Sequence, residues 1–342
     1  MAKWVGIGIA VVLLAVGTAG YVLNNGAPAP PKGVCPALIS AAPYDANLVA
    51  YADLTPLRSI DLSKQLQTLE QSPEAATYRD FLEKTHFHFD RDLDHILLAA
   101  STESQTGALL LEGRFDQQSI SAYAGNFGTM KHYDAGDLYD FRTGTGMSAQ
   151  SLSMMFLGPN RLAFAMGGDP HTEMLMLADS VKQPDPNLHA EMCERAERVA
   201  GASFFMLGEI PKSAAAQITP VVARQNPAAA DILQNLRGWD MAYWMDGDSV
   251  RMAIEGQFDN PYDAIRARFG FEKVRESIEK EEVNLKSAAL KTNPAAPIFD
   301  TLVKNMAISV DGRYVRIGSA LKKSDLENLA KTATSTSQHG RM

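Results

Sequence analysis

The run from Thr85 to His95, THFHFDRDLDH, holds the densest set of groups that could do chemistry. In an extended strand, alternation would place His86, His88, Asp90, Asp92 and Asp94 on one face. Imidazole and carboxylate ligands converging there would suit zinc or manganese. Asp90 to Asp94 also matches the opening of a calcium loop. The sixth position would then be His95 where glycine is needed, and the twelfth Ser101 where glutamate is needed, so that reading fails. The competing reading is a helix C-terminus, whose dipole suits a cationic histidine, followed by an Asp-rich turn. The matching stretch later in the chain, LQNLRGWDM (Leu233 to Met241), has no histidine. No metal ligand is expected on this balance.

Glu112 and Glu255 are the next candidates, in LLLEGRFD (Leu109 to Asp116) and MAIEGQFD (Met252 to Asp259). Each ends an apolar run, and the expected role is a solvated strand-end carboxylate. The phosphate-cradling glycine loop, H-E-x-x-H, C-x-x-C and G-x-S-x-G are all missing from the sequence. Gly144-Thr145-Gly146 is too short for a dinucleotide fingerprint. Ser277 to Lys280 and Ser319 to Lys322 match S-x-x-K without its companion motifs. His132, His171, His189 and His339 are scattered. The fifteen methionines fall mostly in apolar runs and read as core filling rather than a soft-metal surface. The expectation is no catalytic residue, no cofactor and no metal.

The elements that would carry these residues recur in order. VAYADLTP (Val49 to Pro56) parallels FFMLGEIP (Phe204 to Pro211), and QSPEAA (Gln71 to Ala76) parallels QNPAAA (Gln225 to Ala230). The EGxFD pair follows. SMMFLGPNRLAFA (Ser153 to Ala165) then parallels AISVDGRYVRIG (Ala307 to Gly318), setting Arg161 against Arg313. Ser72 or Asn226 reads as a helix N-cap, with Pro73 or Pro227 at the first helical position. Asp116 or Asp259 opens the next helix. Asp246-Gly247 and Asp311-Gly312 read as hairpin turns. The expected fold is α+β: an internally duplicated unit, β-α-α-β-β-α-β-β-α, with mainly antiparallel sheets and helices packed on them, behind one transmembrane helix. The second copy carries a charged helix, Phe271 to Leu290, where the first has the shorter HYDAGDLYDFR. The expected domains are 1–23 anchor or signal peptide, 24–34 spacer, 35–185 and 186–332 repeats, and 333–342 tail.

Trp4 to Leu23 is uncharged and, at about 1.5 Å per residue, just spans a bilayer core. Trp4 and Tyr21 suit the interfaces, and Lys3 favours a cytoplasmic N-terminus. The rival is a cleaved signal peptide ending near Thr18 or Tyr21. Either reading places the body outside the cytoplasm. The net charge of −8 argues against a nucleic-acid partner, which requires clustered Lys and Arg.

DANLVAYADLTPLRS and DRDLDHILLAA together resemble uncharacterised bacterial membrane-anchored envelope proteins with duplicated α/β units, over most of residues 40 to 330. The resemblance implies a class of protein and transfers no site residue. The expected function is a membrane-tethered extracytoplasmic binding or scaffolding protein of the inner membrane. Its partners would be the lipid bilayer and another envelope protein. The alternative is a periplasmic enzyme or solute binder with a site between the repeats.

The two cysteines, Cys35 and Cys193, hold nearly equivalent places before Asp53 and Glu209. A bond between them would close a loop worth roughly 4–5 kcal/mol in the chain-entropy model. Two separately buried thiols are the alternative. Thiol labelling of the unfolded, unreduced protein decides: no reactive thiol is the bridged outcome, and two rule the bridge out.

Overall fold

The computed structural model describes residues 38–43, 45–55, 76–101, 103–143, 150–182, 190–225, 227–246, 249–285, 305–322 and 324. The segment Trp4–Leu23, the spacer, Cys35, the helix starts at Ser72-Pro73 and Asn226, and the tail lie outside the described residues. Among those described, no helix is long and apolar enough to cross a membrane.

The chain divides between Phe204 and Phe205 into two compact units. In the first, a 3-10 turn (Ile39–Ala41) precedes β1 (Leu48–Asp53), α1 (Ala76–Thr85), α2 (Phe89–Asp92), β2 (Leu93–Ser101), β3 (Thr106–Gly113) and α3 (Gln117–Gly125). There follow β4 (Thr129–Tyr133), β5 (Gly136–Thr143), β6 (Gln150–Phe156), β7 (Arg161–Gly167), α4 (Pro170–Lys182) and α5 (Ala190–Arg198). The second holds β8 (Phe204–Glu209), α6 (Lys212–Gln225), α7 (Pro227–Asn235), β9 (Leu236–Asp246), β10 (Ser249–Phe258), α8 (Pro261–Leu285), β11 (Ala307–Asp311) and β12 (Tyr314–Lys322).

The expected fold class needs correction. The described chain is built on antiparallel β-sheet, twelve strands in all, with helices packed on it, rather than two copies of one nine-element α+β unit. Neighbour order is β1-β2-β3-β7-β6-β5-β4 in the first unit and β8-β9-β10-β12-β11 in the second. The stretch read as a short counterpart of the charged helix is the β4–β5 hairpin, closed by Asp134-Ala135 between the paired Tyr133 and Gly136. Its aromatic residues favour strand, and Leu138, Tyr139 and Phe141 are buried there.

Burial explains the strand choices. In β2 and β3, Ile96, Leu97, Ala99 and Ala108 to Leu111 are buried almost without interruption, the pattern of strands covered on both faces. α4 packs on β6 and β7 with Met174, Leu177 and Ala178 inward. α1 lies against α3 through Phe81 and Tyr123, rings 5.5 Å apart. Phe87 continues the aromatic cluster to Phe115, stacked at 5.6 Å. In the second unit, α8 packs on β10, β11, β12 and α7 around Ile232, Phe258, Ala264, Ala267 and Val315.

The repeated Glu-Gly-x-Phe-Asp ends β3 and β10, but its glycines do different work. A Cβ on Gly113 would stand 2.2 Å from the Asp92 carbonyl oxygen, whereas on Gly256 it would meet the flexible Leu236 Cδ1 at 2.9 Å. Gly113→Ala should therefore cost about 2–3 kcal/mol, as overpacking against backbone does, and Gly256→Ala clearly less. Urea unfolding midpoints of the two variants check the order.

Candidate functional site

The geometry around residues 85–95 dissolves the candidate metal face. Thr85 and Phe87 turn inward while His86 and His88 are exposed, and His86 adopts a left-handed φ of 54° where α1 ends. α2 then interrupts the extended run. Asp92 bends back to accept from the His88 N–H at 2.9 Å and from Arg91 Nε at 3.0 Å. Burial raises its pKa, but these hydrogen bonds outweigh that and hold it below the usual carboxylate range. Asp92 thus ties the loop together.

His95, just past this run, belongs to a polar row across four strands. Asp53, His95, Glu112 and Arg161 are successive register partners on β1, β2, β3 and β7, so their side chains share one face. A bulge between Leu93 and His95 sets His95 in line. His95 Nδ1 lies 3.0 Å from Glu112 Oε2, and its Nε2 lies 3.7 Å from Asp53 Oδ1. Arg161 Nη2 donates to Glu112 Oε1 at 3.0 Å. Asp53 Oδ1 also accepts from the Thr55 amide and hydroxyl. Tyr51 stacks on His95 at 5.8 Å. Burial, then the charges of Asp53 and Glu112, push the Tyr51 hydroxyl pKa up, so the phenol stays protonated.

The second unit repeats the central pair. Asp240, Glu255 and Arg316 are register partners on β9, β10 and β12, and Arg316 Nε donates to Glu255 at 2.9 Å. The residue opposite the glutamate is thus Arg316, while Arg313 sits in the two-residue turn with its guanidinium over Tyr314. Glu255 is 1% exposed, so it is no solvated strand-end group, and Glu112 is only partly exposed. The motif aspartates also diverge. Asp116 caps α3, accepting from the Ser119 N–H at 3.1 Å. Asp259 pairs with Arg237, and Asn260 caps α8 by accepting from the Asp263 N–H at 3.0 Å.

A further network was not legible in the sequence. Asp140 Oδ2 lies 2.7 Å from His171 Nδ1, and His171 Nε2 lies 2.7 Å from the Tyr133 hydroxyl. The Ser153 hydroxyl donates to Asp140 Oδ1 at 2.6 Å, and Lys131 Nζ stands 3.6 Å away. In the neutral tautomer that donates Nδ1–H to the aspartate, Nε2 accepts from the phenol. That is the arrangement of an oriented general base. Ser153, fully buried, is held as an anchor of the aspartate. His171 is placed by the cap of α4, where the Thr172 hydroxyl donates to Asp169 at 2.7 Å. Its partners come from β4 and β5, so no local spacing marks it.

Cys193 lies on α5 and is disulfide-bonded; Cys35 is outside the described residues. Met154, Met155 and Met174 are buried, while Met176 is exposed. His132 pairs with Asp137 at 2.8 Å on the surface. His189, His339 and Gly144 to Gly146 lie outside the described residues. No group of three metal-ligating side chains converges among the described residues.

The pH dependence of the Glu112 pair follows from its environment. Burial raises its pKa, but hydrogen bonds from Arg161 and His95 more than offset this and lower it. A depressed carboxylate stabilises the fold fully above its unfolded value of about 4.3 and loses that contribution as pH falls through the folded value. Glu112→Gln should therefore cost about 1 kcal/mol at neutral pH, a figure discounted for its partial exposure. It should also flatten the loss of stability between about pH 5 and pH 3. Thermal unfolding of both proteins across that range measures it; parallel curves would contradict it.

No family model matches the chain, and no curated protein matches it. Solved structures give distant likenesses. TP0453 in crystal form I has a TM-score of 0.41 at 10% identity, covering 88% of this chain and 99% of that one. Crystal form III gives 0.42 at 11%, covering 86% and 97%, and crystal form IV gives 0.43 at 11%, covering 87% and 97%. Likeness at this level carries no argument about function.

Proposed function

We propose that this chain is a membrane-tethered, extracytoplasmic binding or scaffolding protein of the bacterial envelope. The observation that carries the reading is Cys193, which is held in a disulfide; such bonds persist in oxidising compartments. The uncharged stretch from Trp4 to Leu23 supports the same side of the membrane and supplies the bilayer as one partner. The other partner is an envelope protein. The first-unit row supports binding rather than turnover, because Glu112 already spends both oxygens on His95 and Arg161 and Tyr51 is kept protonated.

The Tyr133–His171–Asp140 relay favours a second reading, a periplasmic enzyme or solute binder. An enzyme using His171 as a base loses turnover by about 10²–10⁴-fold when that base is removed, whereas a scaffold keeps its partner.

Membrane fractions washed at alkaline pH should retain the protein, and protease added to spheroplasts should digest its body. A protease-resistant body overturns the extracytoplasmic placement. N-terminal sequencing that begins at Thr18 or Tyr21 overturns the anchor. Recovery of the co-purifying envelope partner should be equal for wild type and His171→Asn; loss of a catalysed reaction in that variant would move the assignment to the enzyme.

A further inference from the structure

Two strands, β4 and β11, end their units' sheets with one side unpaired among the described residues. An open edge exposes backbone donors and acceptors that template pairing with another strand. In β11, Asp311 and Tyr314 flank the two-residue turn Gly312-Arg313, with Gly312 at φ 58° as that turn requires. They are therefore a hydrogen-bonded pair, and alternation points the backbone groups of Ile308 and Val310 to the open side.

We infer that β11 is a homodimerisation edge, pairing antiparallel with β11 of a second copy about a twofold axis at Ser309. In that register Ile308 exchanges backbone hydrogen bonds with Val310 of the second copy, and Asp311 stands opposite Ala307, so no like charges meet. Ile308 and Val310 also pack on the Phe258 and Val315 cluster, so the apolar layer continues across the axis. The equivalent centred register of β4 sets Lys131 against Lys131, which is repulsive. That lysine guards β4, and no charged side chain lies in β11 before its last residue.

α8 lies over β11 and exposes Tyr262, Ile265 and Phe269 at 69%, 46% and 57%, spaced three and four apart on one helix face. The opposite face buries Ala264 and Ala267. A twofold axis perpendicular to the sheet at Ser309 brings α8 of both copies onto one face of the joined sheet. The joined edge is then an isologous contact with the two helices on the same side of the sheet.

Sedimentation velocity of the full chain in mild detergent tests this, from about 1 to about 100 µM. The wild type should dimerise. Ser309 is exposed, so Ser309→Lys and Ser309→Glu should each keep the fold and weaken the dimer about tenfold or more through like charges at the axis. An equimolar mixture of the two should restore it. Amide exchange reads the same edge without substitution: Ile308 and Val310 should exchange more slowly at high than at low protein concentration. A wild type monomeric throughout, a dimer indifferent to both substitutions, or concentration-independent exchange at Ile308 and Val310 overturns the assignment.

Discussion

A carboxylate carried into a sheet interior must meet a cation there, because an unpaired buried charge costs far more than a strand gains by holding it. Glu255, 1% exposed, imposes that constraint in full on its unit, and the partly exposed Glu112 imposes it in part on the other. Their partners, Arg161 and Arg316, are supplied by β7 and β12, each opposite its glutamate in register. The strand that carries the arginine must therefore lie beside the strand that carries the glutamate. β7 accordingly inserts next to β3, and β12 next to β10, although each is separated from its neighbour in sequence by a helix and at least one further strand. The open edges of the two units follow from that choice.

Identical letters do not dictate identical duties once packing differs. In the first unit the motif glycine admits the Asp92 carbonyl, and Asp92 in turn ties α2 to the start of β2. The second unit has no such approach; there the strand end is held by Arg237 and Asp259, a pair with half-exposed partners. Released from that tie, the cap passes one residue on to Asn260. Phe115 and Phe258 do share a role: one joins the Phe87 cluster, the other the core beneath α8.

Much of the strand content was legible because a strand is a local pattern: the apolar runs ending at Glu112 and Glu255 became β3 and β10, while the turn read at Asp311-Gly312 falls one residue on, at Gly312-Arg313. The β4–β5 hairpin was missed because HYDAGDLYDFR was measured against a helix elsewhere in the chain instead of by its own buried Leu138, Tyr139 and Phe141. Arg316 was missed for another reason. Motif alignment favoured the turn residue Arg313, and only register shows which arginine faces the glutamate. His171 lay beyond sequence reasoning altogether, since its partners Tyr133 and Asp140 come from strands more than thirty positions earlier. The same holds for His95, which sat at the end of a tempting metal pattern and drew its meaning from Asp53 and Glu112 instead.

The distribution of polar groups bears on what these units offer to other molecules. Three clusters of polar side chains within the sheets pair among themselves: Glu112 with Arg161 and His95, Glu255 with Arg316, Asp140 with His171 and Ser153. Such pairs fix register, because a one-residue slip would turn every member to the opposite face. Fixing register in this way leaves the outer strands well defined, and a well-defined edge is a specific template while a slipping one is not. The sheets' charged interiors and their exposed backbone edges are thus two consequences of one requirement: each strand must hold a single alignment. The lysine on β4 and its lack within β11 then decide which of the edges is closed to self-pairing and which is open.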